Sequence, residues 1–168
     1  MRLKQGCKGM WIVPAVLIVD RITKVAAQII LQTPPEISYA PMMKLVPGIL
    51  NARYAQNTGI AFSMFSGGGV WLVLFSVMLV ALLSVWLIAR PDEPKLFRAG
   101  LWLIVGGGLG NLYDRVVYGF VVDFLELAFV RFAIFNIADV CICVGAGLAM
   151  LALIMDEMHA KKKKPEGE

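Results

Sequence analysis

The sequence predicts an all-α membrane protein with four transmembrane helices, a small extracytoplasmic strand-containing segment and a short interfacial helix. Three observations support this fold class. The 168-residue chain is 59% hydrophobic with a mean hydropathy of +0.74, above the ~45–50% apolar fraction of ordinary soluble domains. Four segments approach the ~20 mainly apolar residues that cross a bilayer. Basic residues collect on one side of these segments.

The four predicted spans are residues 11–31, 70–89, 97–116 and 137–155. The second contains no charged residue and is the clearest, whereas the first carries three charges and ranks lowest. Basic residues before the first span imitate a signal peptide, but charges interrupt the apolar run and no small-x-small cleavage site follows. We therefore expect an uncleaved first helix instead of a cleaved leader. No room is left for a separate soluble domain, so a single membrane domain over residues 1–168 is expected.

The distribution of basic residues predicts the orientation. Ten of the 16 Lys and Arg residues lie before the first span, between the second and third, or after the fourth. By the positive-inside rule both termini are then cytoplasmic, and the loops of about residues 32–69 and 117–136 face outward. The basic tail of residues 158–168 suits anionic lipid headgroups better than nucleic acid.

The first outward loop carries the predicted non-helical elements, and proline-rich turn signals punctuate it. The alternation over residues 50–55 predicts a strand on the membrane surface. Asn57-Thr-Gly then opens an apolar run over residues 60–65, which predicts a short interfacial helix capped at its start. The second loop, between Asp123 and Asp139, is apolar enough that we expect it to dip into the membrane interface.

Two aspartates are the strongest functional candidates. Asp123 in Val-Val-Asp-Phe and Asp139 in Phe-Asn-Ile-Ala-Asp lie near the outer ends of hydrophobic segments. A carboxylate costs ~2.5–3.5 kcal/mol at the centre of a membrane helix, so an acid at the membrane edge marks a functional site by default. Two such carboxyl groups can share a proton and activate water, as the dyad of an aspartic protease does.

Three asparagines accompany these acids at the same predicted depth, namely Asn57, Asn111 and Asn136. An amide there can hydrogen-bond a peptide backbone or orient a carboxylate. Arg115, at the outer end of the third span, can hold a carbonyl or phosphate oxygen through its planar guanidinium group.

Two further motifs lie within the spans. Asp20 and Lys24 are four residues apart on one helical face and can pair, so this face must point into the bundle or toward a wet cavity. A direct role in the site and a purely anchoring role stay equally open. The segment from Gly106 to Gly110, which includes Gly107, favours close helix packing over substrate contact.

The composition disfavours other kinds of site. Cys7 is predicted to be cytoplasmic, while Cys141 and Cys143, two apart on a helix, point to different faces. Neither a disulfide nor a metal clamp is expected. His159 is the single histidine and lies on the side opposite to the aspartates, which argues against a histidine-based zinc site. We expect no cofactor and no metal.

Several of these motifs, taken in order, resemble those of the lipoprotein signal peptidases, the type II signal peptidases of bacteria. The similarity covers the chain apart from its tails. It departs from the common pattern at Arg21, where glutamine is common, and at Val140, where serine is frequent. The matching motifs are Asp20-x-x-Thr-Lys24, Asn57-Thr-Gly-Ile-Ala-Phe62, Gly107-x-x-Gly-Asn111-x-x-Asp-Arg115, Val122-Asp-Phe124 and Phe135-Asn-Ile-Ala-Asp139.

The resemblance implies an intramembrane aspartyl endopeptidase of the bacterial cytoplasmic (inner) membrane, with its active site near the outer face. Asp123 and Asp139 would form the catalytic dyad. The substrate would be a diacylglyceryl-modified prolipoprotein, cut just before the lipid-modified cysteine. Residues 32–69 would form an extracytoplasmic cradle and the short helix. Residues that would bind substrate or support the dyad are Asp20, Lys24, Asn57, Gly107, Asn111, Arg115 and Asn136.

Other function classes stay open at this point. A small transport or assembly subunit would explain the glycine-rich packing, although a transport path calls for ionisable groups across the membrane. A serine–lysine peptidase would need an outward serine beside a lysine, and Lys24 lies in a different motif. Membrane lipids are the expected surroundings, nucleic acid is not an expected partner, and a four-helix bundle can bury its core as a monomer.

Overall fold

The fold is described from a computed structural model, over residues 5–32, 42–59 and 69–163. Four helices and three strands lie in these ranges. Helices α3 and α4 make the most extensive contact, and α1 and α2 pack against α3. The elements in chain order are α1 (Ile12–Leu31), β1 (Met42–Val46), β2 (Leu50–Asn57), α2 (Gly69–Ala89), α3 (Lys95–Tyr118), β3 (Val121–Leu127) and α4 (Ile137–Lys163).

Glycines allow α3 and α4 to approach closely. A Cβ atom on Gly107 would collide with the backbone carbonyl of Ala138, and one on Gly100 or Gly145 would collide with the carbonyl of the other glycine. Small residues permit such contact between helix backbones. Close packing, the favoured interpretation of the glycine segment, is therefore confirmed, and it brings the first turn of α4 against α3.

The helices are inverted in polarity relative to a soluble bundle. Large apolar side chains are exposed on their outer surfaces, as at Ile29 of α1 and Trp71 of α2, which are 77% and 76% exposed. Several charged side chains are buried inside, among them Asp20, Lys24 and Asp114. Exposed apolar surface of this extent marks contact with a membrane or a partner.

Two of the described helices are long and apolar enough to cross a membrane. They cover Val70–Ala89 with a mean hydropathy of 2.8 and Ile137–Ala160 with a mean hydropathy of 2.4. Helices α1 and α3 carry more charges, which lowers their hydropathy. The four predicted spans are thus confirmed as four helices, of which two have the composition of a membrane span.

A three-stranded antiparallel sheet, in the order β1-β2-β3, lies at the end of the bundle where α1 and α3 end and α4 begins. The predicted strand over residues 50–55 is confirmed by β2. Strand β3 was not predicted, because the second outward loop was expected to be irregular. The predicted interfacial helix over residues 60–65 lies outside the described residues.

The sheet packs on the last turns of α1 through an apolar cluster that includes Ala27 and Leu31 of α1 and Ala52, Phe124 and Leu125 of the sheet. This contact fixes β3 above the helices. Both inner strands are irregular beside it: the pairing shifts between Ala52 and Ala55, and two consecutive backbone N–H groups, of Phe124 and Leu125, donate to the same carbonyl of Phe135. Such bulges bend a strand and redirect its side chains.

Candidate active site

Asp123 projects from β3 and is 2% exposed. Both of its carboxylate oxygens accept hydrogen bonds from side-chain amides. The Nδ2 atom of Asn57, at the end of β2, lies 2.9 Å from Asp123 Oδ2, and the Nδ2 atom of Asn136 lies 2.7 Å from Asp123 Oδ1. Strand pairing places Ala55 opposite Asp123, so the end of β2 fixes this carboxylate.

Asp139 lies in the first turn of α4 and is held by reciprocal bonds with Asn136. The backbone N–H of Asn136 donates to Asp139 Oδ2 at 3.1 Å, and the backbone N–H of Asp139 donates to Asn136 Oδ1 at 3.0 Å. This is the arrangement of a capping box, which satisfies two free donors at a helix start. The Nδ2 atom of Asn111 donates to the other carboxylate oxygen at 2.7 Å.

Asn136 therefore joins the two acids. Its side-chain Nδ2 contacts Asp123 while its backbone N–H contacts Asp139, and it is fully buried. The same Nδ2 atom also lies 3.1 Å from Asn111 Oδ1. Both carboxylates thus share one amide residue, and the three asparagines singled out in the sequence all bind an aspartate directly.

Below the pair lies a buried charge cluster, formed by Asp20, Arg21, Lys24 and Asp114. Lys24 Nζ is 3.0 Å from Asp20 Oδ2 and 2.9 Å from Asp114 Oδ2, and all three side chains are fully buried. The Arg21 guanidinium is 2.5 Å from the second oxygen of Asp114. The predicted pairing of Asp20 with Lys24 is confirmed.

The buried charge cluster holds both elements that carry the acids. Asp20 Oδ1 accepts the backbone N–H of Ala138, in the first turn of α4, at 3.2 Å. Asp114 Oδ2 accepts the backbone N–H of Val122, on β3, at 3.1 Å. Lys24 Nζ also donates to Asn111 Oδ1 at 3.0 Å, which links the cluster to the asparagines.

Sequence reasoning did not identify Arg21 or Asp114 as members of this network. The available signal was their spacing: Arg21 follows Asp20, and Asp114 lies three residues after Asn111, on the same helical face. Arg115 does hold a carbonyl oxygen, as its chemistry suggested, but the oxygen belongs to Gly59 of the same chain, at 3.1 Å. Gly107 contributes packing and no polar contact to the network.

The electrostatics of Asp123 differ from those of an exposed carboxylate. Burial raises the pKa of Asp123 from 3.8 to about 6. The hydrogen bond from Asn57 opposes this rise of the pKa, the negative charge of Asp139 adds to it, and the bond from Asn136 and the charge of Lys24 oppose it. Like charges that share a site disfavour joint ionisation, so the pair tends to keep a proton.

Three cavities meet at these residues. One of about 450 Å³ is lined by both aspartates and by apolar residues of β3, α4 and residues 132–135. Another of about 230 Å³ lies between α2 and α3 and reaches Asn111 and Arg115. A larger groove of about 860 Å³ runs over the sheet and ends at Asp123. Within residues 5–32, 42–59 and 69–163, no group of three or more His, Cys, Asp or Glu side chains could hold a metal ion.

The fold and the site define a class: a small helical protein with membrane-type surfaces and two amide-bound carboxylates at one end of its bundle. The sequence model described as signal peptidase (SPase) II matches residues 12–155. The chain therefore belongs to the signal peptidase II family and is an enzyme, a peptidase. The alternative of a transport or assembly subunit finds no support.

Relatives in this family cover nearly the whole chain. A lipoprotein signal peptidase of Shewanella piezotolerans is 41% identical over 165 residues, which are 94% of this chain and 92% of that protein. One of Thermosynechococcus vestitus is 36% identical over 137 residues, 80% of this chain and 84% of that protein. A bacterial membrane enzyme solved at 2.3 Å superposes with a TM-score of 0.80 and 27% identity, covering 96% of this chain and 94% of its own.

Proposed function

We propose that this protein removes the signal peptide from diacylglyceryl-modified prolipoproteins, cutting before the lipid-modified cysteine, and that Asp123 and Asp139 form its catalytic dyad. One observation carries the assignment of the dyad. Both carboxylates contact Asn136, line the same cavity and form no ion pair with any described residue. Such a pair is suited to proton exchange with a substrate.

In the proposed mechanism the pair shares one proton and holds a water molecule. Asp123, whose pKa is raised to about 6, carries the shared proton. Asp139 takes a proton from the water, which attacks the carbonyl carbon before the modified cysteine. The proton of Asp123 stabilises the developing oxyanion, and the proton gained by Asp139 then passes to the leaving amine. The asparagines hold both carboxylates in position through this cycle.

The supporting residues have separate proposed roles. Asn57, Asn111 and Asn136 orient the carboxylates, while Asp20 and Lys24 hold α1, α3 and α4 together beneath them. A sixth member of the site, Arg115, binds the carbonyl of Gly59 and so fixes the chain beyond β2. Gly107 lets the first turn of α4 approach α3. The apolar walls of the cavities suit the hydrophobic part of a signal peptide and acyl chains.

The proposed setting is the bacterial inner membrane. All four helices span it as one domain, both termini are cytoplasmic, and the site lies near the outer face. The exposed apolar surfaces of the helices and the one-sided basic residues support this topology. The protein is proposed to act as a monomer surrounded by lipids, and to need no metal or other cofactor.

The test is cleavage of a diacylglyceryl-modified precursor by purified protein in detergent or lipid. Wild type is compared with Asp123→Asn and Asp139→Asn, and Asp156→Asn serves as control because Asp156 is exposed near the far end of α4. We expect product from wild type and the control only, with and without a metal chelator. Turnover by either dyad variant would reject the dyad, and inactivity of folded wild type would reject the function.

A further inference from the structure

The groove over the sheet is separate in chemistry from the apolar cavities. Its walls come from β2, β3 and residues 128–134, and Asn57 and Asp123 line both this groove and the 450 Å³ cavity. The groove is therefore continuous with the proposed site of cleavage. Polar side chains distinguish its walls, namely Asn51, Arg53, Gln56, Glu126 and Arg131.

A precursor has two parts of different polarity on either side of the cut. The core of a signal peptide is an apolar run, and it suits the cavity whose walls include Val140, Ile142 and Val144 of α4. It does not suit a groove with charged walls, where burying apolar groups gains little. The chain that follows the cut has no such apolar requirement, so the polar groove fits this second part.

Glu126 supplies a specific binding group in the groove. Its Oε1 atom is 3.3 Å from the guanidinium of Arg53. Its Oε2 atom is hidden from solvent and accepts no hydrogen bond from any described residue. An unsatisfied buried polar atom is costly, and a carboxylate oxygen can only accept. A ligand that offers an N–H group at this point would satisfy it.

The two strand irregularities set the distance between Glu126 and the dyad. Three positions separate Glu126 from Asp123 on β3, so strict alternation would place their side chains on opposite faces. The bulge at Phe124 and Leu125 restores both to the groove. Three residues of strand span roughly 10 Å, and an extended peptide rises by the same amount per residue.

We propose that this groove binds the mature segment of the precursor in extended form. Glu126 accepts a hydrogen bond from a substrate N–H group about three residues after the cleaved bond, and Arg53 holds the Glu126 carboxylate in place. This inference rests on the proposed function and deepens it. Glu126 is thus a positioning residue that favours substrates with an ordered polar segment after the cut.

The experiment compares two substrates. One is a diacylglyceryl-modified precursor with its full mature segment, and the other ends immediately after the modified cysteine. Glu126→Gln keeps the shape of the side chain, but its amide oxygen faces Arg53 and its NH₂ group faces the groove. We expect the KM for the full substrate to rise about tenfold with kcat unchanged. Wild type and the variant should have equal KM and kcat on the short substrate.

Two outcomes would overturn the inference: an unchanged KM for the full substrate, or an equal loss on both substrates, which would indicate a structural role in the sheet. Glu126→Ala provides a second variant with the same expected pattern, and Asp156→Asn is the control for a surface acid. Failure of the proposed function is distinguishable, because wild type would then cut neither substrate.

Discussion

Two groups of buried carboxylates lie at the same end of this molecule, and they differ in what binds them. Asp123 and Asp139 accept hydrogen bonds from neutral amides. Asp20 and Asp114 instead contact Lys24 within 3.0 Å. Burial therefore does not distinguish a reactive acid from an anchoring one. A carboxylate bound by amides can exchange a proton without breaking an ion pair, whereas protonation of a paired carboxylate leaves a buried cation alone.

The largest expected effect is on activity. Asp139→Asn should lower kcat by at least ~10³-fold, because the pair can no longer take a proton from water. The melting temperature in detergent should change little, since no cation loses its partner. Parallel cleavage and thermal-unfolding measurements check this, with Asp156→Asn as the matched acid. Loss of folding together with activity would place Asp139 among the anchoring acids.

The second effect is on stability. Lys24→Met keeps the length of the side chain but leaves two buried carboxylates without their shared cation. Removing one partner of a buried ion pair typically costs about 3–5 kcal/mol. We expect a large fall in melting temperature and in the yield of folded protein. Lys95→Met is the matched control, because Lys95 is exposed at the start of α3; equal behaviour of the two variants would contradict an anchoring role.

Much of this division was visible in the sequence. The helices, β2, both acids and the three asparagines follow from apolar runs, alternation and polar residues at the predicted membrane edge. The role of Asp114 was not accessible, because its partners Lys24 and Arg21 lie about ninety residues away along the chain. Its position became meaningful only when α1 and α3 packed together.

Strand β3 was missed for a related reason. Its residues, Val121–Leu127, are largely buried and show no polar alternation, so they resemble an apolar loop at a membrane interface. The partner that makes them a strand is β2, far away in the sequence. The bulges that bring Asp123 and Glu126 to one groove likewise depend on pairing, and no local pattern predicts them.

Asn111 connects the two groups and should show an intermediate effect. Its side chain binds Lys24 through Oδ1 and Asp139 through Nδ2. Asn111→Ala removes a hydrogen bond to a charged group on each side, which corresponds to roughly 10–100-fold in kcat. We expect a smaller loss of stability than for Lys24→Met, because the ion pairs remain. A variant with wild-type kcat would show that the two groups act independently.

The pH dependence follows from the proton on Asp123. Because its pKa is raised to about 6, Asp123 is protonated below this pH and loses its proton above it. If Asp123 is the acid of the pair, kcat/KM should decline tenfold per pH unit on the basic side, from about pH 6 upward. A profile of kcat/KM against pH in the purified enzyme measures this limb. A flat profile between pH 5 and 8 would contradict the assignment of the proton.

The smallest expected effect separates this cause from others. The hydrogen bond from Asn57 lowers the pKa of Asp123, so Asn57→Ala should raise that pKa and move the basic limb of kcat/KM to higher pH. Above pH 6 the variant would then keep a larger fraction of its own maximal activity than wild type does. A change at the charge cluster, in contrast, acts through folding and should not move the limb in this direction. A limb that stays in place or moves to lower pH would assign the titration to another group.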